Sequence, residues 1–311
     1  MDLPVEHLTT FAAIIAEGSF EGAARALHVT PSAVSQRVRA LEQRVGTVLL
    51  RRTRPVEVTE AGATVLRLAR QFERLVGDAA LELGVGAGPG GAGDGGAGTD
   101  GAAPGTAAVI PIVVNADTLA TWFVPAIARA ARETGARFEL IRADESISTE
   151  RLRRGDVMAA VTATREPVPG CVSTKLGVDR YRAVASPEFA GRHFARGVNA
   201  ESLGAAPIIE FDRHDMFQHR FIRRFTRATV TPPRHLVPSS AEFAHAVELG
   251  MGWGMLPELQ CGELIAAGRL VEVGPNAAID LPLYWQRWRL DSPLLDALTR
   301  VITEEAALAL R

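Results

Sequence analysis

Between Pro31 and Val45 the apolar and polar positions separate onto two faces of one helix. Val34, Val38, Leu41 and Val45 recur at helical spacing and predict a buried stripe. Ser32, Gln36, Arg39 and Gln43 project from the other side, with Ser35 on its flank. Thr30 followed by Pro31 is a capping residue ahead of proline at the first helical position, so it marks where this helix begins. Before it the pattern predicts a helix over 5–17, with Leu8, Phe11, Ala12 and Ile15 on one face. A second short helix follows through Ala23, Ala24 and Leu27, with Gly18-Ser19-Phe20 between the two. Residues 49–58 read as a short hairpin with a basic tip, a wing beside the helices. Thr59 then caps a long helix over 60–83, where Val65, Leu68, Phe72, Leu75 and Ala79 follow the 3-4-3-4 spacing of a coiled-coil seam. That spacing suits a dimerisation helix, or one packed on its own domain.

Residues 84–106 hold eleven glycines and little that could be buried, which predicts a flexible tether. From 107 onward strands and helices alternate. Strands are expected at 109–114, 137–142 and 157–162, and helices at 119–134 and 146–154. A second unit over 185–275 carries strands at 207–211, 235–238 and 252–256. The segment 283–288 and a helix at 292–310 return to the first unit. Such alternation predicts a mostly parallel sheet covered by helices, in two lobes with a cleft between them. The expected fold class is multidomain α+β. A winged helix-turn-helix (1–59), a dimerisation linker helix (60–83) and the Gly/Ala-rich linker (84–106) precede a bilobed α/β domain (107–311). Lobe one takes 107–184 and 276–311, and lobe two takes 185–275.

Charge sharpens this picture once it is resolved along the chain. The formal net charge is −2, yet residues 25–70 carry nine arginines against three glutamates, a local net of +6. Phosphate contacts act over about 8–10 Å, so the local value is the one that bears on DNA. Hydrophobic residues make up 47% of the 311, and no apolar run approaches the ~20 residues that span a bilayer. The opening MDLPVEHLTT has acidic residues where a signal peptide would be basic, so a cytoplasmic protein is expected. Cys171 and Cys261 lie far apart with no metal-ligand spacing around them, which predicts two buried thiols. His214, His219 and His235 have no metal-ligand spacing either, and no metal or cofactor is expected. No nucleophile elbow, phosphate loop or Ser-His-Asp order points to an enzyme.

The helix after Thr30 offers hydroxyl, amide and guanidinium groups outward, which is the chemistry that reads base edges in a major groove. The run GSFEGAARALHVTPSAVSQRVRALE, the wing LLRRTRPVEVTEAG and the long helix after it resemble the LysR-type transcriptional regulators. Further segments, NADTLATWFVP (115–125), ERLRRGDV (150–157), LGVDRYRAVASPEF (176–189) and SSAEFAHAVELGMGWGMLP (239–257), resemble the LysG/ArgP branch of that family. Members of the branch sense basic amino acids and activate an exporter gene. The long linker at 84–106 departs from the family's usual short hinge.

The resemblance implies a homodimer or homotetramer on double-stranded DNA, with a periplasmic-binding-protein-like effector domain and RNA polymerase as a further candidate partner. It implies Ser32, Ser35, Gln36 and Arg39 at the major groove and Arg51, Arg52 and Arg54 on the backbone. The effector would be lysine, arginine or histidine. Asn115, Thr118 and Thr121 are candidates to grip its α-carboxylate, and Asp117, Asp144, Glu145, Asp212, Asp215 and Glu242 to hold its ammonium groups. Trp122 is a candidate pocket wall, and Ser240 a further contact. Asp117 could equally cap a helix, as could Ser239 or Ser240. The alternative overall reading is an architectural or replication-related DNA-binding protein with little ligand response.

Overall fold

The computed structural model describes residues 3–51, 53–82, 109–275 and 278–311. The expected tether at 84–106 therefore lies outside the described residues. Helices α1 (Val5–Glu17), α2 (Phe20–Ala26) and α3 (Pro31–Val45) form one small core with the start of α4 (Glu60–Glu82). The predicted cap at Thr30 forms, its Oγ1 accepting the Ala33 amide at 3.1 Å, and Ser19 Oγ caps α2 by accepting the Gly22 amide at 3.0 Å. His28, at φ +54, turns the chain between α2 and α3. Val34, Val38 and Leu41 are buried against Phe11 and Ile14 of α1.

The wing consists of β1 (Leu50–Arg51) and β2 (Glu57–Val58), paired antiparallel. Glu42 of α3 ties it down by accepting the Leu49 amide at 2.9 Å. Thr59 Oγ1 accepts the Gly62 amide at 3.0 Å and starts α4. Val65, the first position of the seam, is buried with Leu66 and Ala69 in the N-terminal core, as a helix packed on its own domain would have it. The reason is that the first turns of α4 pack on α1, so only the later positions are left over. Leu68, Leu75 and Val76 stay exposed, at 41%, 39% and 51%.

In the remainder of the chain β3 (Val109–Val114) lies between β4 (Arg137–Arg142) and β5 (Ala159–Thr162), parallel to both. The expected helix at 119–134 begins earlier, as α5 (Ala116–Thr118), a π turn (Leu119–Phe123) and α6 (Val124–Thr134). Pro125 has no amide hydrogen to give the carbonyl four residues back, which favours the wider turn just before it. α7 (Glu145–Arg154) returns the chain to β5.

Two long strands, β6 (Cys171–Ala185) and β11 (Ala278–Trp288), then pair antiparallel along most of their length. One end of β11 pairs with β5, while Tyr181–Val184 of β6 pair with β9 (Gly254–Pro257). β10 (Val271–Glu272) pairs with the last residues of β6. β7 (Ile208–Glu210) and β8 (Arg234–Leu236) make a separate parallel pair. The sheet is thus mixed rather than mostly parallel, because the two crossing strands contribute antiparallel ladders on each side.

Cys171, Leu176, Leu283, Trp285 and Trp288 belong to one core, with Phe123 and with Val301 of α13 (Pro293–Ala309). Tyr181, Ala183, Ala185 and Ile279 belong to another, with Phe221 and Trp253. The passage between lobes therefore falls inside β6 and β11, near Gly177–Asp179 and Leu281–Leu283, rather than at 184/185. The second lobe is completed by α8 (Pro187–His193), α9 (Ala200–Ala205), α10 (Phe217–Phe225), α11 (Ser240–Glu248) and α12 (Glu258–Ala266). Burial of each large side chain in these cores contributes about 1.5–3 kcal/mol.

Candidate functional site

On α3 the burial follows the sequence pattern. Ser32, Gln36, Arg39 and Gln43 are exposed and Ser35 is half-buried, while the aliphatic stripe faces inward. Arg37, on the same helix, is spent internally. It pairs with Glu6 at 2.9 Å and donates to Thr10 Oγ1 at 3.1 Å, fixing α3 on α1. Arg51 and Arg54 are exposed on the wing, and Arg52 lies outside the described residues. Thr53 Oγ donates to the Pro55 carbonyl at 2.7 Å and shapes the wing tip. The result is a helix face carrying neutral donors, acceptors and one guanidinium, flanked by a cationic hairpin, which suits a groove bordered by phosphates.

The second site lies where the crossing strands meet both lobes. Asp117 on α5 accepts the Tyr181 hydroxyl at 2.7 Å through one carboxylate oxygen. Its other oxygen accepts the Ser240 hydroxyl at 2.7 Å. One carboxylate from the first lobe thereby joins a crossing strand and the second lobe. Tyr181 stacks on Phe217, with ring centroids 4.4 Å apart. Burial and the neighbouring Asp117 and Asp179 carboxylates push the Tyr181 hydroxyl well above its ordinary range. Asp215 accepts the amides of Phe211 at 2.9 Å and Phe217 at 3.0 Å, and burial raises its carboxyl.

Asp179, two residues before Tyr181 on β6, is only 2% exposed, and neither of its oxygens has a hydrogen-bond partner. Burial first, then the charges of Asp117 and Glu258, push it up to about 7. Glu258 is already matched by Arg182 at 2.5 Å and Arg311 at 2.6 Å. Deeper in the second lobe Glu210, 1% exposed, has His219 Nε2 at 2.9 Å and Arg234 at 3.5 Å.

Of the residues singled out in the sequence, Asp117 joins Ser240 to Tyr181, and Asp215 is a further charged neighbour of Tyr181. Asn115 caps α5 by accepting the Thr118 amide at 2.8 Å, and Thr118 is buried with its hydroxyl unpartnered. Thr121 turns its hydroxyl onto the Asp117 carbonyl at 2.7 Å. Trp122 is 5% exposed within the first lobe's core, with its indole nitrogen unpartnered. Asp212 accepts the His214 amide at 2.7 Å in its own turn. Asp144 is exposed at the start of α7, and the Glu145 side chain falls outside the described part. Glu242 is exposed and accepts the Ser239 hydroxyl, which occupies it locally.

Sequence reasoning missed Asp179 and Tyr181. The available signal was period two: Asp179 and Tyr181 stand two apart and share one face of β6, while Arg180 and Arg182 take the other. Both cysteines are free and buried, and burial pushes Cys171 to about 11 and Cys261 to about 12.

Residues 5–63 match the bacterial regulatory helix-turn-helix protein family of lysR type, and residues 105–307 match the LysR substrate binding domain. The lysine export transcriptional regulatory protein LysG of Corynebacterium efficiens is 39% identical over 306 residues, covering 98% of both chains. The crystal structure of ArgP from Mycobacterium tuberculosis superposes with a TM-score of 0.86 at 38% identity, covering 98% of both chains. Full-length LysG from Corynebacterium glutamicum with bound effector Arg superposes with a TM-score of 0.84 at 37% identity, covering 99% of both. These relatives are regulators and not enzymes. With a helix-turn-helix face, a wing and a bilobed domain matched along nearly its whole length, this chain belongs to the LysR family of DNA-binding transcriptional regulators.

Proposed function

We propose that this regulator senses a basic amino acid in the cleft around Asp117 and controls a gene for exporting it. The observation that carries this is the Asp117 carboxylate, joined to Tyr181 and to Ser240 and set among further acids. A zwitterion with an extra cation needs both donors and carboxylates, and this cleft supplies hydroxyls beside acids. The relative holding arginine supports the same class of effector. Asp117, Asp215, Ser240 and the buried Thr118 hydroxyl line up with this role. Asn115, Thr121 and Trp122 shape the helix that presents Asp117.

At the other end Ser32, Ser35, Gln36 and Arg39 read bases, while Arg51, Arg52 and Arg54 meet phosphates. The exposed strip Leu68, Leu75 and Val76 on α4 supports self-association, which would place two reading heads on one operator. No helix among the described residues is long and apolar enough to cross a membrane. A cytoplasmic protein acting on double-stranded DNA is the reading we adopt.

The test has two arms. Calorimetry on the full chain with lysine, arginine and histidine should give saturable heat with at least one of them, and heat with none refutes the effector. Binding to duplexes enriched from a random pool and to scrambled duplexes, over several salt concentrations, should give a specificity ratio of about 10³ or more. A ratio near one would instead favour an architectural role.

A further inference from the structure

The acids around the cleft differ in what already satisfies them. Asp117 accepts two hydroxyls, Asp215 two backbone amides, and Glu258 two guanidinium groups. Glu210 also lacks a hydrogen bond on either oxygen, but the His219 imidazole at 2.9 Å and the Arg234 guanidinium at 3.5 Å face it. Asp179 has no hydrogen-bond partner on either oxygen, although it is 2% exposed. A buried carboxylate without a partner is expensive, so the structure holds it ready for a donor.

Chemistry decides which donor. The α-ammonium of an amino acid lies beside its own α-carboxylate, so its partner acid must sit among hydrogen-bond donors. Asp117, next to the Tyr181 and Ser240 hydroxyls, has that company. Asp179 has instead Asp117 and Glu258 as its charged neighbours, and another carboxylate placed there would be repelled. Its surroundings suit a group that donates only: an ammonium or guanidinium with no acid attached. Resting on the effector class proposed above, we infer that Asp179 is the residue that pairs with the side-chain cation of the effector and so separates basic amino acids from neutral ones.

A consequence follows for protons. The groups acting on Asp179 are Asp117 on α5 and Glu258 on α12, the latter neutralised by Arg182 and Arg311. Tyr181 on the same strand and Asp215 ahead of α10 complete the cluster. With its carboxyl near 7, Asp179 is about half protonated at neutral pH. Pairing with a cation favours the ionised form, so its proton passes to the buffer as the effector binds.

The experiment is calorimetry on the full-length protein with lysine, and with norleucine as the neutral isostere, in phosphate and in Tris buffers. For the wild type we expect lysine to release up to about half a proton at pH 7. Affinity for lysine should rise about tenfold between pH 6 and pH 8, while norleucine binds weakly with no such trend. Asp179→Asn should lower lysine affinity at least about tenfold and abolish both the proton release and the pH trend. Lysine binding by the wild type with neither signature overturns the assignment, and needs no folded variant. Unchanged lysine affinity in a folded Asp179→Asn protein overturns it as well, while leaving the effector class standing. Failure of the wild type to bind lysine, arginine or histidine overturns the effector reading and this assignment together.

Discussion

Arg70 on α4 donates to the Asp156 carboxylate at 2.6 Å, joining the long helix of the DNA-binding unit to the loop that leaves α7. The contact is broader than one pair. Arg67 donates to the Arg153 carbonyl at 3.3 Å and Arg70 to the Arg154 carbonyl at 3.5 Å, so two guanidinium groups meet the C-terminal end of α7. Cations placed there complement the helix dipole. Gly155, at φ +74, lets the backbones close, since a Cβ would stand 3.0 Å from Arg67 Cα.

Two substitutions separate charge from backbone fit at this contact. Asp156→Asn removes a half-exposed ion pair and should cost no more than about 1 kcal/mol. Gly155→Ala strains a left-handed residue and pushes on Arg67, and should cost about 1–3 kcal/mol. Thermal unfolding ranks the two, and hydrogen exchange should locate the faster opening on α4 and α7 in both.

Gly62 is a sharper case. A Cβ there would lie 2.0 Å from the Leu49 carbonyl oxygen, a backbone atom that cannot swing aside. Gly62→Ala should cost about 3 kcal/mol and displace the wing from α4. A melting curve superimposable on that of the wild type would contradict this packing.

At the DNA face the two classes of arginine should fail differently. Arg39→Ala should weaken an enriched operator by about 1–3 kcal/mol and relax its sequence preference. Arg54→Ala should weaken operator and scrambled duplex alike and reduce the salt slope by about 1. Titrations by fluorescence anisotropy at several salt concentrations distinguish the two patterns.

Asp179 also adds a pH-dependent contribution to stability. Its carboxyl is raised to about 7 in the folded chain, against an unfolded value of about 3.9. A raised acid favours the fold most below its unfolded value and loses that contribution as pH climbs through the folded one. Between pH 4 and pH 8 the wild type should therefore lose up to about 4 kcal/mol relative to Asp179→Asn. Asp280, lowered by Arg180, acts in the opposite sense in both proteins and cancels from the difference. Denaturant unfolding of both proteins at pH 4.5, 6 and 8 measures this difference; parallel pH profiles would show that Asp179 does not titrate in this window.

The DNA-binding half was the more legible part of the chain. Thr30-Pro31 and the Val34/Val38/Leu41 stripe are local signals, and the caps and burial of α3 follow them directly. The seam on α4 left its covering open, because helical spacing reports that a face is apolar and not which surface covers it; at Val65 the N-terminal core does. In the cleft, Asp117 and Ser240 were found as single candidates, 123 positions apart, and their hydrogen bond was not readable from either neighbourhood. Glu242 and Asp144 carry the same carboxyl chemistry, yet the fold leaves both in solvent.

The sequence by itself determined the local elements and the family. Periodicity, capping residues and glycine turns act over a few positions, and the order of helices, wing and α/β units is written in that short range. Only the tertiary structure decided which acids lie together, because Asp117, Asp179 and Tyr181 meet where β6 and β11 cross between lobes and long-range pairing sets their register. It also decided that, among the described residues, Asp179 is a buried acid with neither a hydrogen bond nor an ion pair. Satisfaction and burial depend on every neighbour in space, and no spacing along the chain encodes them.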